Sequence, residues 1–303
     1  MKKGSLILGS RGSQLALWQA NFIQEFLYSK YHCDSEIKII KTTGDIIDNI
    51  SFDKLEGKGF FTKELEEALL SEEIDLAVHS LKDLMTSQPD GLKVGAVGFR
   101  ADRREVLLIN PDKFNDNGLL PVKSGAVIGT SSARRKSQIA FHAPSLEIID
   151  LRGNVPTRVK KLRDGLYDAI IIAAAGLDRL ELDLTGLKVI RLDPEKFLPA
   201  PAQGVLGIQI RDNDPETEKF IMQLNSQEVE METKLERGLL AKFDAGCTLP
   251  LGVFSSISKK QLRLTAILGE SKNGRWVGLR RVEESGNNVE NIVDSVYNQL
   301  TLK

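Results

Sequence analysis

The chain has 303 residues, of which 27% are charged and 41% hydrophobic, and its formal net charge is -1. This balance excludes a global basic field of the kind that draws a protein to nucleic acid or to a membrane, so any anion site must be local. The apolar run 6–8 is too short for a signal-peptide core and no later run could span a bilayer, so neither an export signal nor a membrane segment is expected. The two cysteines, Cys33 and Cys247, lie far apart in sequence. Reduced thiols in the cytoplasm are therefore expected rather than a disulfide.

Short apolar strands alternate with periodic helices from residue 1 to about residue 200, which is typical of α/β folds. The first helix is predicted to begin after the cap candidate Ser13, because four apolar side chains then recur at helical spacing. The predicted elements of this part are a strand at 6–8, a helix over 15–26, a strand at 37–40, a helix over 61–70 and a strand at 75–78.

A second α/β unit begins near residue 100. Its predicted elements are a strand at 126–129, a helix over 132–142, a strand at 146–151, a helix over 154–164 and a strand at 168–173. This βαβαβ run favours a parallel sheet with right-handed crossovers. A Pro-rich break at 198–204 precedes a strand at 205–210 and suits a chain crossing between domains.

The last part of the chain changes character. Its predicted elements are a long helix over 228–243, strands at 252–257, 262–268 and 276–282, and a final helix over 288–301. This order of elements predicts a small α+β domain.

The turn 129–136 concentrates chemistry that binds anions. Thr130 and Ser132 follow an apolar strand and open a helix, where backbone N–H groups and the helix dipole favour negative charge. Arg134 and Arg135 add two planar guanidiniums that suit carboxylates or phosphates. A capped helix with a solvated basic first turn is the alternative, and cations there would oppose the helix dipole. The pattern therefore favours a binding role.

Other strand ends repeat this theme. Arg11 and Ser13 lie at the first strand-to-helix turn, and Arg152 and Arg158 lie at the turn after residue 151. Ligands of open α/β sheets bind beyond the carboxyl ends of the strands, so these turns are expected to face the same side of their sheets. Each arginine alone is more often a surface residue. Together they predict a polyanionic ligand in a cleft between domains.

An acidic residue follows the strand at 75–78. Lys82 and Asp83 could form a plain surface ion pair, which would contribute little to stability. In a cleft lined by cations, however, an ionised Asp83 could stabilise a developing positive charge or carry a proton.

Two loops stand out. The loop 44–59 is rich in Gly, Asp and Lys, and a functional lid and a plain surface excursion explain it about equally well. Cys247 lies in a glycine-bearing loop between the long helix and a strand, which modestly favours an accessible thiolate. Cys33 is expected to be a small buried hydrophobe.

The combination of motifs resembles the porphobilinogen deaminase (hydroxymethylbilane synthase) family over essentially the whole chain. The matching stretches are 10–20, 57–66, 77–83, 129–135, 151–158, 174–176 with Arg179, 203–204 and 246–247. Any one stretch is weak evidence, but their order and combination are specific.

The resemblance implies an α/β fold of two periplasmic-binding-protein-like domains with the active site between them, plus a small α+β C-terminal domain. The implied domains are residues 1–98 with 201–224, residues 99–200, and residues 225–303. A monomer is expected from the family.

The resemblance also implies the reaction. The family carries a dipyrromethane cofactor joined through a thioether to the cysteine matched by Cys247. Four porphobilinogen units are added to this primer in turn, each with release of ammonia, and hydrolysis frees hydroxymethylbilane. No metal is implied, and the partners are porphobilinogen and its oligopyrrole intermediates.

Residue roles follow from the matched positions. Asp83 matches the catalytic aspartate, and Lys58 matches a mobile loop. The residues matched to cofactor binding are Cys247, Lys82, Ser80, Thr130, Ser132, Arg134 and Arg135. The residues matched to substrate binding are Arg11, Ser13, Phe61, Arg152, Arg158, Arg179 and Gln203.

Two alternatives remain at this stage. A non-catalytic, two-lobed binding protein for a small polycarboxylate anion would share the basic turns, but it has no use for a tethering cysteine. A nucleic-acid binder would use the arginines, but the near-neutral charge and the lack of aromatic residues among the basic turns argue against it.

Overall fold

The computed structural model describes residues 5–42, 62–243, 249–258 and 261–302 of the protein. The chain forms two compact units: unit 1 is Met1–Ala101 with Gly204–Met231, and unit 2 is Asp102–Gln203 with Glu232–Lys303. Each unit has its own sheet and its own buried core.

The strands in chain order are β1 (Leu6–Ser10), β2 (Ser35–Ile39), β3 (Leu76–Ser80), β4 (Leu92–Gly98), β5 (Glu105–Ile109), β6 (Val127–Gly129), β7 (Glu147–Ile149), β8 (Ala169–Ala173), β9 (Lys188–Arg191), β10 (Leu206–Arg211), β11 (Leu251–Ser258), β12 (Gln261–Lys272) and β13 (Arg275–Gly286). The α-helices are α1 (Gln14–Tyr31), α2 (Lys63–Leu70), α3 (Ala133–His142), α4 (Val155–Arg163), α5 (Ala174–Leu180), α6 (Pro215–Ile221), α7 (Gln227–Lys242) and α8 (Val289–Thr301).

Unit 1 is built on a five-stranded sheet in the order β2-β1-β3-β10-β4. β1 runs parallel to β2 and β3, whereas β10 runs antiparallel to β3 and β4. Alternating side chains serve the two faces: Leu8 and Val78 pack with Ile23 of α1, while Leu65 and Leu69 of α2 belong to a second buried cluster. Because β1 and β3 are parallel, the turns that follow them lie at the same edge of the sheet.

Unit 2 contains a sheet of the same design in the order β7-β6-β8-β5-β9. β6 runs parallel to β7 and β8, and β5 runs antiparallel to β8 and β9. β5 is buried on both faces: Leu107 packs with Ile139 of α3, and Leu108 packs with Val159 of α4. The parallel β6-α3-β7-α4-β8 run confirms the sequence prediction.

A three-stranded antiparallel sheet, β11-β12-β13, completes unit 2. It packs against α8 and against α3. Contact with α3 is close at Gly269, where an added Cβ would lie 2.5 Å from the Cβ of Ser137. Only glycine fits there without a shift of the helix or the strand. The predicted α+β character of the C-terminal part is confirmed, whereas its separation as a third domain at residues 225–303 stays a prediction.

The Pro-rich break at 198–204 carries the chain back into unit 1. Gly204 has a φ of +86°, and a Cβ there would lie 2.7 Å from the carbonyl oxygen of Ala101. The Ala101 N–H also donates to the Gly204 carbonyl at 3.0 Å. The two crossing segments therefore run side by side, and glycine is required by both the backbone angle and the space.

Several elements were missed from the sequence. β4, β5 and β9 were not predicted, and neither were the short helices α5 and α6. β5 and β9 make the edge of the unit 2 sheet antiparallel, so the sheet is mixed rather than wholly parallel.

Candidate active site

The turn after β3 carries Lys82 and Asp83 in a 3-10 helix, Leu81–Asp83. Leu81 is its anchor: the side chain is buried, and its N–H donates to the Val205 carbonyl at 3.0 Å. Lys82 is half-buried and Asp83 is exposed. The predicted catalytic carboxylate therefore stands on an anchored turn with its head group in solvent.

Ser80, predicted to bind the cofactor, ends β3 and is held by a helix beneath it. The Gln19 side chain of α1 is buried and its Nε2 donates to Ser80 Oγ at 2.8 Å. This bond fixes the hydroxyl at the edge of the sheet. The sequence reasoning gave Gln19 no role, although it falls within the matched stretch 10–20.

His79 lies just before this turn and is fully buried in unit 1. Its Nε2 lies 3.1 Å from Gln209 Oε1, and Gln209 Nε2 in turn donates to Gln88 Oε1 at 2.8 Å. The amide of Gln209 thus leaves its oxygen to accept, so His79 Nε2 carries the proton. The pKa of His79 is lowered from 6.5 to about 4, mainly by burial; the Gln209 bond opposes the shift and the Arg11 charge adds to it.

Arg11 and Ser13 follow β1 at the same edge of unit 1. Ser13 caps α1, and its side chain accepts from the Ala16 N–H at 3.3 Å. The predicted cap is confirmed. Arg11 is half-buried, and both residues stay predicted substrate ligands.

The basic turn of unit 2 follows β6. Ser132 caps α3, and its Oγ accepts from the Arg135 N–H at 3.5 Å. The Ser132 N–H in turn donates to Thr130 Oγ1 at 3.3 Å, and the Thr130 N–H donates to the Ile149 carbonyl at 2.9 Å. The sequence reasoning expected free backbone N–H groups here. Three of them are instead used within the protein.

Arg134 and Arg135 are buried, with 5% and 6% of their surface exposed, and they share one carboxylate. Arg134 Nη2 donates to Glu105 Oε1 at 2.6 Å, and Arg135 Nη2 donates to Glu105 Oε2 at 2.7 Å. Burial lowers the pKa of Arg134, the Arg135 charge adds to this shift, and Glu105 opposes it. Glu105 is a structural partner that the sequence does not place beside these arginines. A charged residue opening the apolar run 105–109 was the signal that could have revealed it.

Three more predicted arginines lie after the next two parallel strands. Arg152 and Arg158 follow β7 and are half-buried, and Arg158 Nε donates to the Gly153 carbonyl at 2.7 Å. Arg179 on α5 follows β8 and is buried, which lowers its pKa to about 10. With the basic turn, they line the carboxyl edge of β6, β7 and β8 with positive charge.

Gln203, predicted to bind substrate, is fully buried. Its Nε2 donates to the Arg103 carbonyl at 2.9 Å and to Glu105 Oε1 at 3.2 Å. Its Oε1 is buried and accepts no hydrogen bond from the residues that the structure describes. Gln203 thus contacts the same carboxylate as the two arginines.

Some predicted residues lie outside the described part of the chain. These are Lys58 and Phe61, with the loop 44–59, and Cys247. Cys247 falls between α7 and β11 in the sequence, as predicted. Cys33 is a half-buried free thiol packed against the unit 1 core, and burial raises its pKa.

Within residues 5–42, 62–243, 249–258 and 261–302, no group of His, Cys, Asp or Glu could hold a metal ion. No helix in those ranges is both long enough and apolar enough to cross a membrane.

Two family models match the chain. Residues 6–219 match the model described as "Porphobilinogen deaminase, dipyromethane cofactor binding domain". Residues 231–300 match "Porphobilinogen deaminase, C-terminal domain". Together they cover most of the sequence.

Curated relatives carry the same name. The porphobilinogen deaminase of Chloroherpeton thalassium is 42% identical over 291 residues, which covers 96% of this chain and 90% of that protein. The porphobilinogen deaminase of Sulfurimonas denitrificans is 43% identical over 271 residues, covering 89% and 84%.

The solved structures that align with the chain are remote in sequence. The periplasmic VFT2 domain of BvgS from Bordetella pertussis aligns with a TM-score of 0.44 at 12% identity, over 77% of this chain and 93% of that one. An ancestral arginine-binding protein bound to arginine aligns with a TM-score of 0.40 at 13% identity, over 80% and 99%.

Family membership rests on the sequence matches, which give the alternative of a non-catalytic binding protein no better support. The chain belongs to the porphobilinogen deaminase family, the hydroxymethylbilane synthases: transferases of tetrapyrrole and heme biosynthesis that use a dipyrromethane cofactor.

Proposed function

We propose that in this chain the two units divide the work of porphobilinogen condensation: the turn after β3 supplies the reacting carboxylate, and the basic edge of unit 2 binds acidic side chains. The observation that carries this division is the contrast in exposure between Asp83, which is exposed, and Arg134 and Arg135, which are buried in fixed positions. Buried, fixed cations suit binding, whereas an exposed carboxylate on an anchored turn can meet a reacting group.

The residues at the basic edge fit a dipyrromethane primer. Each of its pyrroles carries acetate and propionate groups, and the carboxyl ends of β6, β7 and β8 supply several guanidiniums. Arg135 Nε is buried and has no hydrogen-bond partner among the described residues, so a donor is left over at this edge. The residues that would hold the primer are Thr130, Ser132, Arg134 and Arg135, with Ser80 and Lys82 from unit 1 and Cys247 as the point of attachment.

Other charged residues serve porphobilinogen and the lengthening oligopyrrole. Their own acetate and propionate groups need the same partners, and arginine binds carboxylates in a planar, bidentate way. The residues assigned to this role are Arg11, Ser13, Arg152, Arg158, Arg179 and Gln203. Phe61, at the start of the predicted helix 61–70, has the same role, and Lys58 belongs to the predicted mobile loop.

Asp83 acts on the pyrrole nitrogens and on protons. Positive charge develops on porphobilinogen as its amino group leaves, and a carboxylate near the pyrrole N–H groups stabilises that charge. Each coupling removes a proton from a pyrrole carbon and leaves ammonia as the other product. Asp83 can take up that proton and give it to a departing amino group, which leaves as ammonia, so the cycle leaves the charge of Asp83 unchanged.

The primer, when bound, supplies the pyrrole carbon at which chain growth begins. Lys82, next to Asp83, contributes a cation beside the same turn. Ser80 presents a hydroxyl that Gln19 fixes in place. The residues of unit 1 thus combine one proton carrier with groups that orient acidic side chains.

Intact mass of the purified protein tests the proposal. Attachment at Cys247 predicts a mass above that of the bare chain by two pyrrole units, and Cys247→Ser is expected to abolish this increment. Cys33→Ser is the matched control, because Cys33 packs against the unit 1 core, and it should keep the increment. A bare-chain mass that does not change after incubation with porphobilinogen would contradict the assignment and favour the non-catalytic binding protein.

A monomer in the cytoplasm is part of the same proposal. The exposed large hydrophobic residues of the described chain include Tyr28 and Phe141, which belong to different units. Cys33 is a free thiol, and free thiols persist in a reducing compartment. Light scattering after gel filtration and cell fractionation test the two statements separately.

A further inference from the structure

Glu105 is a buried carboxylate to which sequence reasoning gave no role. It opens β5, is fully buried, and accepts one guanidinium on each oxygen, from Arg134 at 2.6 Å and from Arg135 at 2.7 Å. Consecutive residues of a helix diverge by about 100° around its axis. Glu105 is the common acceptor at which these two guanidiniums meet.

Backbone carbonyls complete the hold on each arginine. Arg134 Nη1 donates to the Leu198 carbonyl at 2.8 Å, and Arg135 Nη1 donates to the Ile171 carbonyl at 3.0 Å. Each guanidinium is thus fixed at two of its nitrogens by acceptors on different segments. A planar group held at two points has its remaining N–H directions fixed as well.

Gln203 orients the carboxylate itself. Its Nε2 donates to Glu105 Oε1 at 3.2 Å and to the Arg103 carbonyl at 2.9 Å. Glu105 Oε1 therefore accepts from both Arg134 and Gln203, while Oε2 accepts from Arg135. This arrangement leaves the carboxylate little freedom to rotate.

The charges of this group do not cancel. Two guanidiniums and one carboxylate leave one positive charge, and buried like charges repel strongly in a low-dielectric interior. Glu105 offsets the repulsion between the two guanidiniums, but its single negative charge does not neutralise both. Arg135 Nε, buried and without a partner among the described residues, remains as a donor.

We propose that Glu105 is a positioning residue that holds Arg134 and Arg135 in the geometry that receives the acidic groups of the primer. The inference rests on the proposed function of the basic turn. Glu105 acts through the arginines rather than by touching the primer. Its loss should therefore slow primer uptake only while the arginines are present.

Primer uptake by the apoprotein is the measurement. Apoprotein is incubated with porphobilinogen, and the fraction carrying the primer is followed by intact mass over time. Glu105→Gln keeps the shape but removes the charge, and we expect uptake to slow by about tenfold or more, as is typical when an orienting partner is lost. Glu105→Asp keeps the charge on a shorter arm, and we expect an intermediate rate.

A double-mutant cycle separates positioning from direct contact. Arg134→Ala/Arg135→Ala should itself slow uptake, and adding Glu105→Gln should cause no further loss. Glu232→Gln is the matched control, because Glu232 is a buried carboxylate of unit 2 that pairs with Arg103 instead. It should lower stability yet leave the uptake rate per folded molecule unchanged.

The outcomes distinguish this inference from the proposed function. Normal uptake by folded Glu105→Gln, with uptake lost in the arginine variant, overturns the role of Glu105 alone. Normal uptake by the arginine variant overturns the basic turn as a primer site and the positioning role with it. If circular dichroism shows that Glu105→Gln does not fold, Glu105→Asp decides, and an unchanged uptake rate overturns the proposal.

Discussion

The turn after β3 in unit 1 and the turn after β6 in unit 2 both lie at the carboxyl ends of parallel strands, yet they are built in opposite ways. In unit 1 the backbone is anchored through Leu81, and the charged head of Asp83 is exposed. In unit 2 the charged heads are themselves buried and tied to Glu105. Exposure thus separates the group proposed to react from the groups proposed to hold a ligand.

The largest expected effect comes from Asp83. Asp83→Asn removes the proposed proton carrier while leaving the anchored turn, so turnover should fall by about a hundredfold or more. The primer should remain, because its proposed carboxylate partners are untouched. Product formation and intact mass test the two statements on one sample. Asp90→Asn, an exposed aspartate of the same unit, is the control; equal turnover in both variants would remove the catalytic role from Asp83.

The next effect tests the buried side of the comparison. Arg135→Ala leaves Glu105 short of one partner and deletes a proposed primer ligand. The unfolding free energy should fall by about 3 kcal/mol, and the protein should be recovered mostly without primer. Urea denaturation and intact mass measure the two changes. Lys136→Ala is the control, since its pair with Asp150 is partly exposed and should contribute little. Full primer content in Arg135→Ala would show that the buried cation is structural only.

The third effect concerns His79, the buried residue just before the exposed turn that carries Asp83. His79 is neutral when folded down to a pH of about 4, whereas the unfolded residue gains a proton below pH 6.5, so stability should fall as the pH drops through this window. The lowered pKa of His79 corresponds to a loss of about 3 kcal/mol of unfolding free energy by pH 4.

Unfolding free energies at pH 7.5, 5.5 and 4.5 measure this slope. His79→Gln should flatten it, because its amide can still meet Gln209 but does not titrate. His32→Asn, which removes an exposed imidazole, serves as the control. An acid slope that survives His79→Gln unchanged would assign the titration to another group.

The smallest effect concerns Gln19. Gln19→Ala removes the donor that fixes Ser80, and the unfolding free energy should fall by about 1 kcal/mol. Primer uptake should slow modestly, because Ser80 keeps its hydroxyl but loses its orientation. Asn21→Ala on the exposed side of α1 is the control. A wild-type uptake rate in Gln19→Ala would mean that the orientation of Ser80 does not matter.

The sequence predicted local elements well because their signals are local. Helix α1 was recognised from apolar spacing and from Ser13, and the β6-α3-β7-α4-β8 run from alternating periods. The antiparallel strand β5 was missed because it pairs with β8, a distant segment of the chain, and no adjacent hairpin turn indicates that pairing. Long-range pairing is invisible to periodicity.

The candidate site divides in the same way. Ser80, Asp83, Arg134 and Arg135 could be chosen as chemically suitable groups at strand ends. Their supports could not: Glu105 lies 29 residues from Arg134 along the chain, and Gln209 lies 130 residues from His79. The burial of Arg134 and Arg135 could not be predicted either, since arginines in the first turn of a helix are usually solvated. A buried carboxylate reverses that expectation only when the folded sheet brings it there.

The place of β10 in the unit 1 sheet has a consequence for synthesis of the protein. β10 lies between β3 and β4, so within the described sheet β4 has no neighbouring strand until residues 206–211 have left the ribosome. The five strands of the β7-β6-β8-β5-β9 sheet are complete once Arg191 has been made. Unit 2 can therefore close its main sheet first, although translation begins with unit 1. Until β10 has been made, β3 and β4 present open edges, which are the surfaces on which a nascent chain mispairs.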